Sequence, residues 1–427
     1  MRVFLDSIGC RLNQSEIEKI GNQLIMAGHT LVDTPQDADF VIVNTCAVTT
    51  EAASDSRQKI RQAGRNPQTE IIVTGCWATM EPDAAGLLPG VKYVVLNEKK
   101  DTITDLFLKE KATEEFELEP LIRKPLPGVH SRTRAFIKTQ DGCNNYCTFC
   151  VTRLVRGTSR SMPVSEVLAD IHHAVNGGVQ EVVLTGVQLG SWGQEYDPAQ
   201  QLGDLIERIL DETSIPRLRM SSIEPWDLDE KFFALWQDPR LCRHFHLPLQ
   251  SGAAATLKRM ARKITPEDYR SLLQMIRRLI PDAAITTDIL VGFPGETEED
   301  FAESLAFVEE MHFAAGHVFP FSPRPGTAAA RMDDQVHPKV RKARSLQMRQ
   351  VLEQSSLEFR RRFIGKEMKV LWETSDGLDQ SGWQLHGLTD NYLRITAVSS
   401  ELRWNMIDRV VLSDLTKNGL KGQIIPS

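Results

Sequence analysis

Three cysteines at a C-x₃-C-x₂-C spacing, Cys143, Cys147 and Cys150, are the residues of this sequence best suited to chemistry. Three thiolates from one short loop can converge on an iron–sulfur cluster. A [4Fe–4S] cluster has four irons, so one iron then stays open to an exchangeable ligand. Asp141 and Gly142 before the triad, with Asn144 and Asn145 inside it, favour the irregular backbone that convergence requires. The aromatic Phe149, next to the last cysteine, adds specificity to the pattern. A zinc site would want a fourth Cys or His nearby, and the loop holds none, which leaves zinc or a chance spacing as the lesser reading.

Three more cysteines, Cys10, Cys46 and Cys76, each close a strand-like run: VFLDSIGC, FVIVNTC and IIVTGC. Parallel strands present their carboxyl ends along one sheet edge, so residues distant in sequence can meet in its crevice. Three small buried hydrophobes would be the ordinary fate of free cysteine. The repeated placement after a strand favours a second metal centre. Cys242 lacks that context and reads as structural. Seven cysteines, an odd number in an apparently intracellular chain, point to ligands or nucleophiles before disulfides.

The elements that must position these residues follow from periodicity. Val3–Asp6, Phe40–Val43 and Ile71–Val73 are short β-branched runs of buried parallel type. Asn13 with Glu16 reads as a helix start, and Ile17, Ile20 and Leu24 share one helical face. The pattern is βαβ, hence a doubly wound parallel sheet. Lys109–Glu119 and the Pro-containing Leu121–Val129 read as a linker. Six strand candidates follow, Ala135–Thr139, Glu181–Thr185, Leu218–Ser221, His244–Leu247, Ile285–Leu290 and His317–Phe321. Amphipathic helices such as Val164–Ala174, Leu202–Leu210 and Glu267–Leu279 lie between them, which suits an open (β/α)₆ barrel. A basic helix near Pro338 carries Met348, Leu352 and Phe359 on one face. The last 60 or so residues then turn to short strands, Met368–Trp372, Trp383–Gly387, Tyr392–Ala397 and Met406–Leu412, of a small all-β barrel. The expected division is 1–115, a linker at 116–130, a barrel domain at 131–364 and a tail domain at 365–427.

With 427 residues the chain can bury ample core in several domains, and 41% hydrophobic with 25% charged residues suits a soluble globular protein. No window approaches the roughly 18 apolar residues of a membrane span, and MRVFLDSIGC lacks the features of a leader. No membrane contact and a cytoplasmic location are expected. A net charge of −7 argues against a uniformly basic nucleic-acid coat, so RNA contact must use local patches.

The segment CNNYCTFC (Cys143–Cys150) resembles the signature of the radical S-adenosylmethionine (SAM) superfamily. The resemblance implies that the open iron binds the amino and carboxylate groups of SAM, and that one electron from an external reductant yields a 5′-deoxyadenosyl radical. GCRLNQSE (Gly9–Glu16), VNTCAVTTEA (Val43–Ala52), TGC (Thr74–Cys76), HLPLQSG (His246–Gly252) and DILVGFPGET (Asp288–Thr297) extend the likeness over essentially the whole chain, to the methylthiotransferases. That family implies a second [4Fe–4S] cluster on Cys10, Cys46 and Cys76, a C-terminal TRAM domain that docks RNA, and replacement of a C–H hydrogen by a methylthio group. Within it, VNTCAVT and GCRLNQSE resemble the group acting at C2 of threonylcarbamoyl-adenosine beside the tRNA anticodon. CVTRLVRG and GCWATM depart from the usual Pro-Tyr pair and Gln without touching a cysteine. The alternatives are an isopentenyl-adenosine enzyme and one that modifies an aspartate of a ribosomal protein. A non-catalytic iron–sulfur electron carrier is the reading from another class, and the barrel argues against it because a carrier needs no substrate-sized cavity.

Candidate SAM contacts follow from position. Thr185 and Gly186 end a strand where backbone can approach the methionine amine, and Gly292, Pro294 and Gly295 suit a tight turn beside the adenine. Ser221 and Glu224 can bond ribose hydroxyls, and Arg262 can meet the carboxylate. Between Lys339 and Lys369 ten Lys or Arg stand against three Asp or Glu, a net +7 able to follow a phosphate backbone or simply to solvate a helix. Trp372, Trp383, Tyr392 and Trp404 can stack on bases, though core packing is the expectation for most.

Overall fold

The computed structural model describes residues 1–108, 133–379 and 382–426; the linker expected at Lys109–Glu119 and Leu121–Val129 lies outside them. The first sheet comprises β1 (Arg2–Ser7), β2 (Thr30–Leu31), β3 (Phe40–Thr45), β4 (Glu70–Gly75) and β5 (Val91–Val95), all parallel, in the order β2-β1-β3-β4-β5. Alternation along β3 and β4 sends Val41, Val43, Ile71 and Val73 to one core and Ile42 and Ile72 to another. Both faces of the sheet are therefore covered, as a doubly wound parallel sheet demands. Adjacent β1, β3 and β4 end side by side, with Ser7 opposite Asn44 and Thr45 opposite Gly75.

The first helix, α1 (Arg11–Met26), begins two residues before Asn13, with Cys10 as its N-cap. Asn13 and Glu16 are thus not a capping pair but buried interior positions, because tertiary partners claim their side chains. Asn13 Nδ2 donates to the carbonyls of Ile8 and Thr45, clamping the helix start onto two strand ends.

The barrel opens with β6 (Arg134–Lys138), after which a two-residue ribbon, β7 (Gln140–Asp141) with β8 (Arg160–Ser161), brackets the cysteine loop. Then come β9 (Glu181–Thr185), β10 (Arg217–Met220), β11 (His244–His246), β12 (Ala284–Val291) and β13 (Ala315–Pro320). They form two parallel triplets, β6-β9-β10 and β11-β12-β13, joined by the bridges Leu218–Leu241 and Ser222–His246. The result is the expected open six-stranded barrel around the largest core of the molecule. Helix α1 of the first domain packs on the edge strand β6.

After the helix Pro338–Arg361 the tail closes a five-stranded barrel in the order β14-β15-β16-β18-β17. Its strands are β14 (Glu367–Asp379), β15 (Gly382–Thr389), β16 (Arg394–Ser399), β17 (Ile407–Leu415) and β18 (Leu420–Ile424). β18, in LKGQI, escapes a sequence reading because it is short and half polar.

Candidate functional site

The cysteine loop leaves the carboxyl end of β6, where the barrel's reactive mouth belongs. Gly142 has φ +70°, and a Cβ there would lie 1.9 Å from the Thr158 carbonyl, so the loop passes this point only with glycine. Backbone N–H groups then aim at sulfur, Asn145 at Cys143 Sγ (3.3 Å) and Thr152 at Cys150 Sγ (3.4 Å). Arg262 Nη1 approaches Cys147 Sγ at 3.9 Å. Burial pushes the Cys143 thiol up to about 11 against the opposing Asn145 N–H. Burial also raises Cys147, with Arg262 pulling the other way. A metal bound by such thiols displaces their protons.

The polar surroundings fit a polar ligand. Asn145 Nδ2 and Oδ1 in the loop, Arg262 Nε and Trp226 Nε1 beside it, and Ser221 Oγ at the end of β10 are buried with no hydrogen-bond partner. Such orphans are costly unless something fills their valences. Arg262 is itself paired with Glu224 (2.7 and 3.0 Å), donates to the Pro248 carbonyl and lies 4.5 Å over the Trp226 ring. Phe149 meets Phe293 edge-on at 6.5 Å, which links the loop to the Gly292–Gly295 turn. In that turn Gly292 N–H binds the Glu296 carboxylate, itself paired with Arg344 (2.7 Å). Thr185 Oγ1 donates to the Ile137 carbonyl, so its hydroxyl serves the sheet. Gly186 lies close against Gln140 and Leu189, leaving no room for a side chain. Pro294 follows Phe293 in the same turn.

Gln188, absent from the sequence reading, places Oε1 3.3 Å from both Cys143 Sγ and Asn144 N. Its position three residues past Thr185 was the available signal.

The second set of cysteines gathers at the sheet edge. Cys10, Cys46 and Cys76 follow β1, β3 and β4, three neighbouring strands. Gly9 has φ +106°, and a Cβ there would stand 2.6 Å from Cys46 Sγ, so the Cys10 turn is drawn tight against Cys46. Burial raises the Cys46 thiol to about 12, with Cys10 and Cys76 adding to the rise. Desolvation raises Cys10 as well, although the residue retains solvent access, and Arg156 opposes it. Asn97 Nδ2 lies 3.8 Å from Cys76 Sγ and Asn13 Oδ1 3.9 Å from Cys10 Sγ. Among the described residues no three Cys, His, Asp or Glu side chains gather closely enough for a single metal ion. In a cluster each thiolate binds a different iron, so wider spacing suits it.

One buried network joins the two cysteine sets. Arg156, on the short helix Thr152–Arg156 after the loop, donates to Glu16 (2.8 Å), Asp141 (3.0 Å) and Asn13 (2.7 Å). Glu16 also takes Lys100 at 2.5 Å and Lys138 at 3.4 Å. Burial alone would raise the Glu16 carboxyl, but Lys100, Arg156 and Lys138 together hold it well below the usual carboxylate range. Asp141, two residues before Cys143, is likewise held down by Arg156 and Lys138 against its burial. This seam spans Asn13 behind Cys10 and Asp141 behind Cys143.

At the opposite end of the barrel the tail docks by guanidinium-to-carbonyl bonds. Arg217 binds the Leu388 and Lys369 carbonyls, and Arg219 binds Asp390 and Thr389 while pairing with Glu181 at 2.7 Å. Tyr392 stacks on His244 at 4.4 Å and accepts from Arg11 at 2.6 Å. Trp372 is fully buried, so the expectation of core packing holds for it. Cys242 is buried beside Glu181 and remote from both cysteine sets. Part of the basic stripe is engaged by the protein itself, while Lys339, Lys342, Arg361 and Lys369 stay exposed. Arg344 is buried on Glu296, Arg349 binds the Val318 carbonyl and Arg360 those of Thr416 and Lys417.

Residues 137–308 match the Radical SAM superfamily, and residues 2–95 match Uncharacterized protein family UPF0004. The chain is 40% identical over 377 residues to the threonylcarbamoyladenosine tRNA methylthiotransferase MtaB of Thermotoga maritima, covering 87% of this chain and 86% of that one. It is 35% identical to the Bacillus subtilis protein of the same name, over 98% of this chain and 94% of the relative. A tRNA-2-methylthio-N(6)-dimethylallyladenosine synthase of Clostridium tetani is 31% identical over 98% and 95% of the two chains. Among solved structures, the radical SAM methyltransferase TsrM of Kitasatospora setae superposes with a TM-score of 0.56 at 14% identity, over 77% of this chain and 74% of that one, a likeness of fold.

Proposed function

The chain belongs to the MtaB-like methylthiotransferases of the radical SAM superfamily, and from that premise we propose that it adds a methylthio group to C2 of N6-threonylcarbamoyladenosine beside the tRNA anticodon. An iron–sulfur cluster and SAM are its cofactors; in this reading Cys143, Cys147 and Cys150 hold the [4Fe–4S] cluster that takes SAM, and Cys10, Cys46 and Cys76 hold a second one. When bound, these groups supply a radical that takes hydrogen from a C–H bond with no acidic proton, and the sulfur that replaces it.

The protein's own residues bind, orient and seal. The N–H groups of Asn145 and Thr152 steady two sulfurs of the loop. Arg262, fixed by Glu224, presents its unpaired Nε toward a carboxylate. The unpaired Ser221 hydroxyl suits a ribose. In this reading Thr185 and Gly186 wall the methionine side, and Phe149 joins the Gly292, Pro294 and Gly295 turn on the adenine side. The seam built on Arg156 excludes water between the two cysteine sets. In this reading residues 1–115 hold the second cluster, 116–130 link, 131–364 make the radical and 365–427 form a TRAM domain that docks the anticodon stem-loop. The electron comes from an external reductant, and the setting is the cytoplasm, where tRNA is modified.

The observation that carries this reading is the meeting of the two cysteine sets at one seam, with Arg156 touching Asn13 and Asp141 at once. The test is mass spectrometry of tRNA nucleosides from a strain lacking the protein. Loss of methylthio-threonylcarbamoyladenosine is expected. Its persistence beside a lost methylthio-isopentenyladenosine, or a lost methylthio group on a ribosomal protein, would overturn the substrate assignment. Anaerobic reduction with SAM should release 5′-deoxyadenosine, and none would return the chain to electron carriage.

A further inference from the structure

Large apolar side chains left in water near a reactive centre require an explanation. Tyr146, inside the Cys143–Cys147 loop, is 71% exposed, Leu154 61% and Val48 59%. Val48 follows Cys46 by two residues, so these groups flank both cysteine sets. Direct contacts make them one rim. Arg324 donates to the Val48 carbonyl at 3.1 Å, and Gly326 abuts the Leu154 side chain. Leu154 adjoins Arg153, whose guanidinium sits 4.2 Å over the Tyr146 ring. The Thr50 and Ser322 hydroxyls meet at 2.8 Å, tying the first domain to the same barrel loop.

Two features select the occupant. The Tyr146 ring is braced on one face by Arg153 and exposed otherwise, an arrangement that pre-orients it for a planar group. Arg153 pairs with no carboxylate among the described residues, whereas Arg324 is buried on the Val48 carbonyl, so the charge this rim offers is that of Arg153 in a chain of net charge −7. An aromatic face beside an uncompensated guanidinium suits a splayed single-stranded nucleotide, whose base stacks while its phosphate finds the charge.

We propose that Tyr146, braced by Arg153, is the stacking platform for a base adjoining the target adenosine, which holds the unstacked RNA loop over the seam between the two cysteine sets. The inference rests on the tRNA reading above. It assigns the positioning of the RNA to the cysteine loop itself as well as to the tail.

The test uses the full chain with both clusters loaded and an anticodon stem-loop RNA bearing 2-aminopurine next to the target. Binding of wild type should quench the probe. Tyr146→Ala should weaken binding about ten-fold, within the range for one base on an aromatic ring, and abolish the quench. Tyr146→Phe should restore both. Arg153→Met, which leaves the cysteine loop's own residues intact, should weaken binding a few-fold and reduce the quench. Should Tyr146→Ala lose iron, the Phe and Arg153 variants carry the test. Wild-type affinity and quench in Tyr146→Ala with iron intact, or in Arg153→Met together with no rescue by Phe, would overturn the inference while the function stands. Failure of wild type to bind or modify the RNA would instead remove the reading beneath it.

Discussion

The two cysteine sets reach similar ends by opposite routes. Cys143, Cys147 and Cys150 fit in eight consecutive residues, and their convergence is a property of one loop. Gly142, the Asn145 N–H and the Thr152 N–H shape it locally. Cys10, Cys46 and Cys76 lie on three turns that only the register of β1, β3 and β4 brings together. Each set leaves one thiol exposed, Cys150 and Cys10, but Cys46 and Cys76 are buried where Cys143 and Cys147 are half-buried. A local site is cheap to assemble and tolerates change elsewhere, whereas a site closed over long chain segments inherits every strain in its sheet. On the proposed reading the first would hold its cluster wherever the loop survives, whereas the second would depend on the whole domain and on the seam beneath it.

Substitution should separate the two most sharply at their ligands. Cys147→Ala should abolish formation of 5′-deoxyadenosine, measured by liquid chromatography after anaerobic reduction with SAM. Residual cleavage near wild type would mean that the loop does not hold the cluster. Cys46→Ala should lose roughly half the iron and all methylthio product yet still cleave SAM. Unchanged iron content would return these three cysteines to buried hydrophobes. The pair of outcomes, one enzyme silent and the other spinning without product, is the comparison in chemical form.

The difference in route also decides what a reader of the sequence can see. The loop triad was legible because its information is local, three spacings and a flanking glycine. The second set was legible only as a repeated strand-then-cysteine pattern, since parallel strands end on one edge. Six barrel strands and the tail's closed sheet followed from periodicity, whereas the half-polar β18 gave no period to read. Asn13 and Glu16 misled because a polar pair at capping spacing looks the same whether it serves its own helix or another domain. Arg156 and Asn97 were invisible for the same reason, as their partners lie 140 and 21 residues away. The basic stripe reads in sequence as a phosphate-following or merely solvated face, and it cannot show that Arg344 is buried on Glu296 while Arg349 stays exposed on the Val318 carbonyl.

Arg156 offers a finer way to stress the non-local set without touching a cysteine. Its side chain is 2% exposed and holds Glu16, Asp141 and Asn13 together. Arg156→Met would leave two carboxylates buried with fewer counter-charges, a loss of about 3–5 kcal/mol for a broken buried pair. The expected result is a lower melting temperature and more 5′-deoxyadenosine released per methylthio product, because radical formation outlives alignment of the two sites. Arg156→Lys keeps the charge but not the fork, so it should recover stability better than coupling. Equal coupling in all three proteins would reduce the seam to a passive contact.

The smallest effect is a pH dependence, and its sign follows from Glu16. Its folded carboxyl is held below the unfolded value of about 4.3, by Lys100, Arg156 and Lys138 acting against burial. A depressed acid contributes stability that is full above the unfolded value and drains away as pH falls through the folded one. Glu181, pulled to about 2 by Arg219 against its burial, adds to the same acid limb from the tail side of the barrel. Denaturant melts of the iron-free chain between pH 3 and pH 7 should therefore decline toward acid. Glu16→Gln should flatten part of that decline and lower the plateau at neutral pH. If Glu181→Gln removes the whole slope instead, the charge stored in the seam near the cysteines contributes nothing to folding, and Arg156 acts on alignment alone.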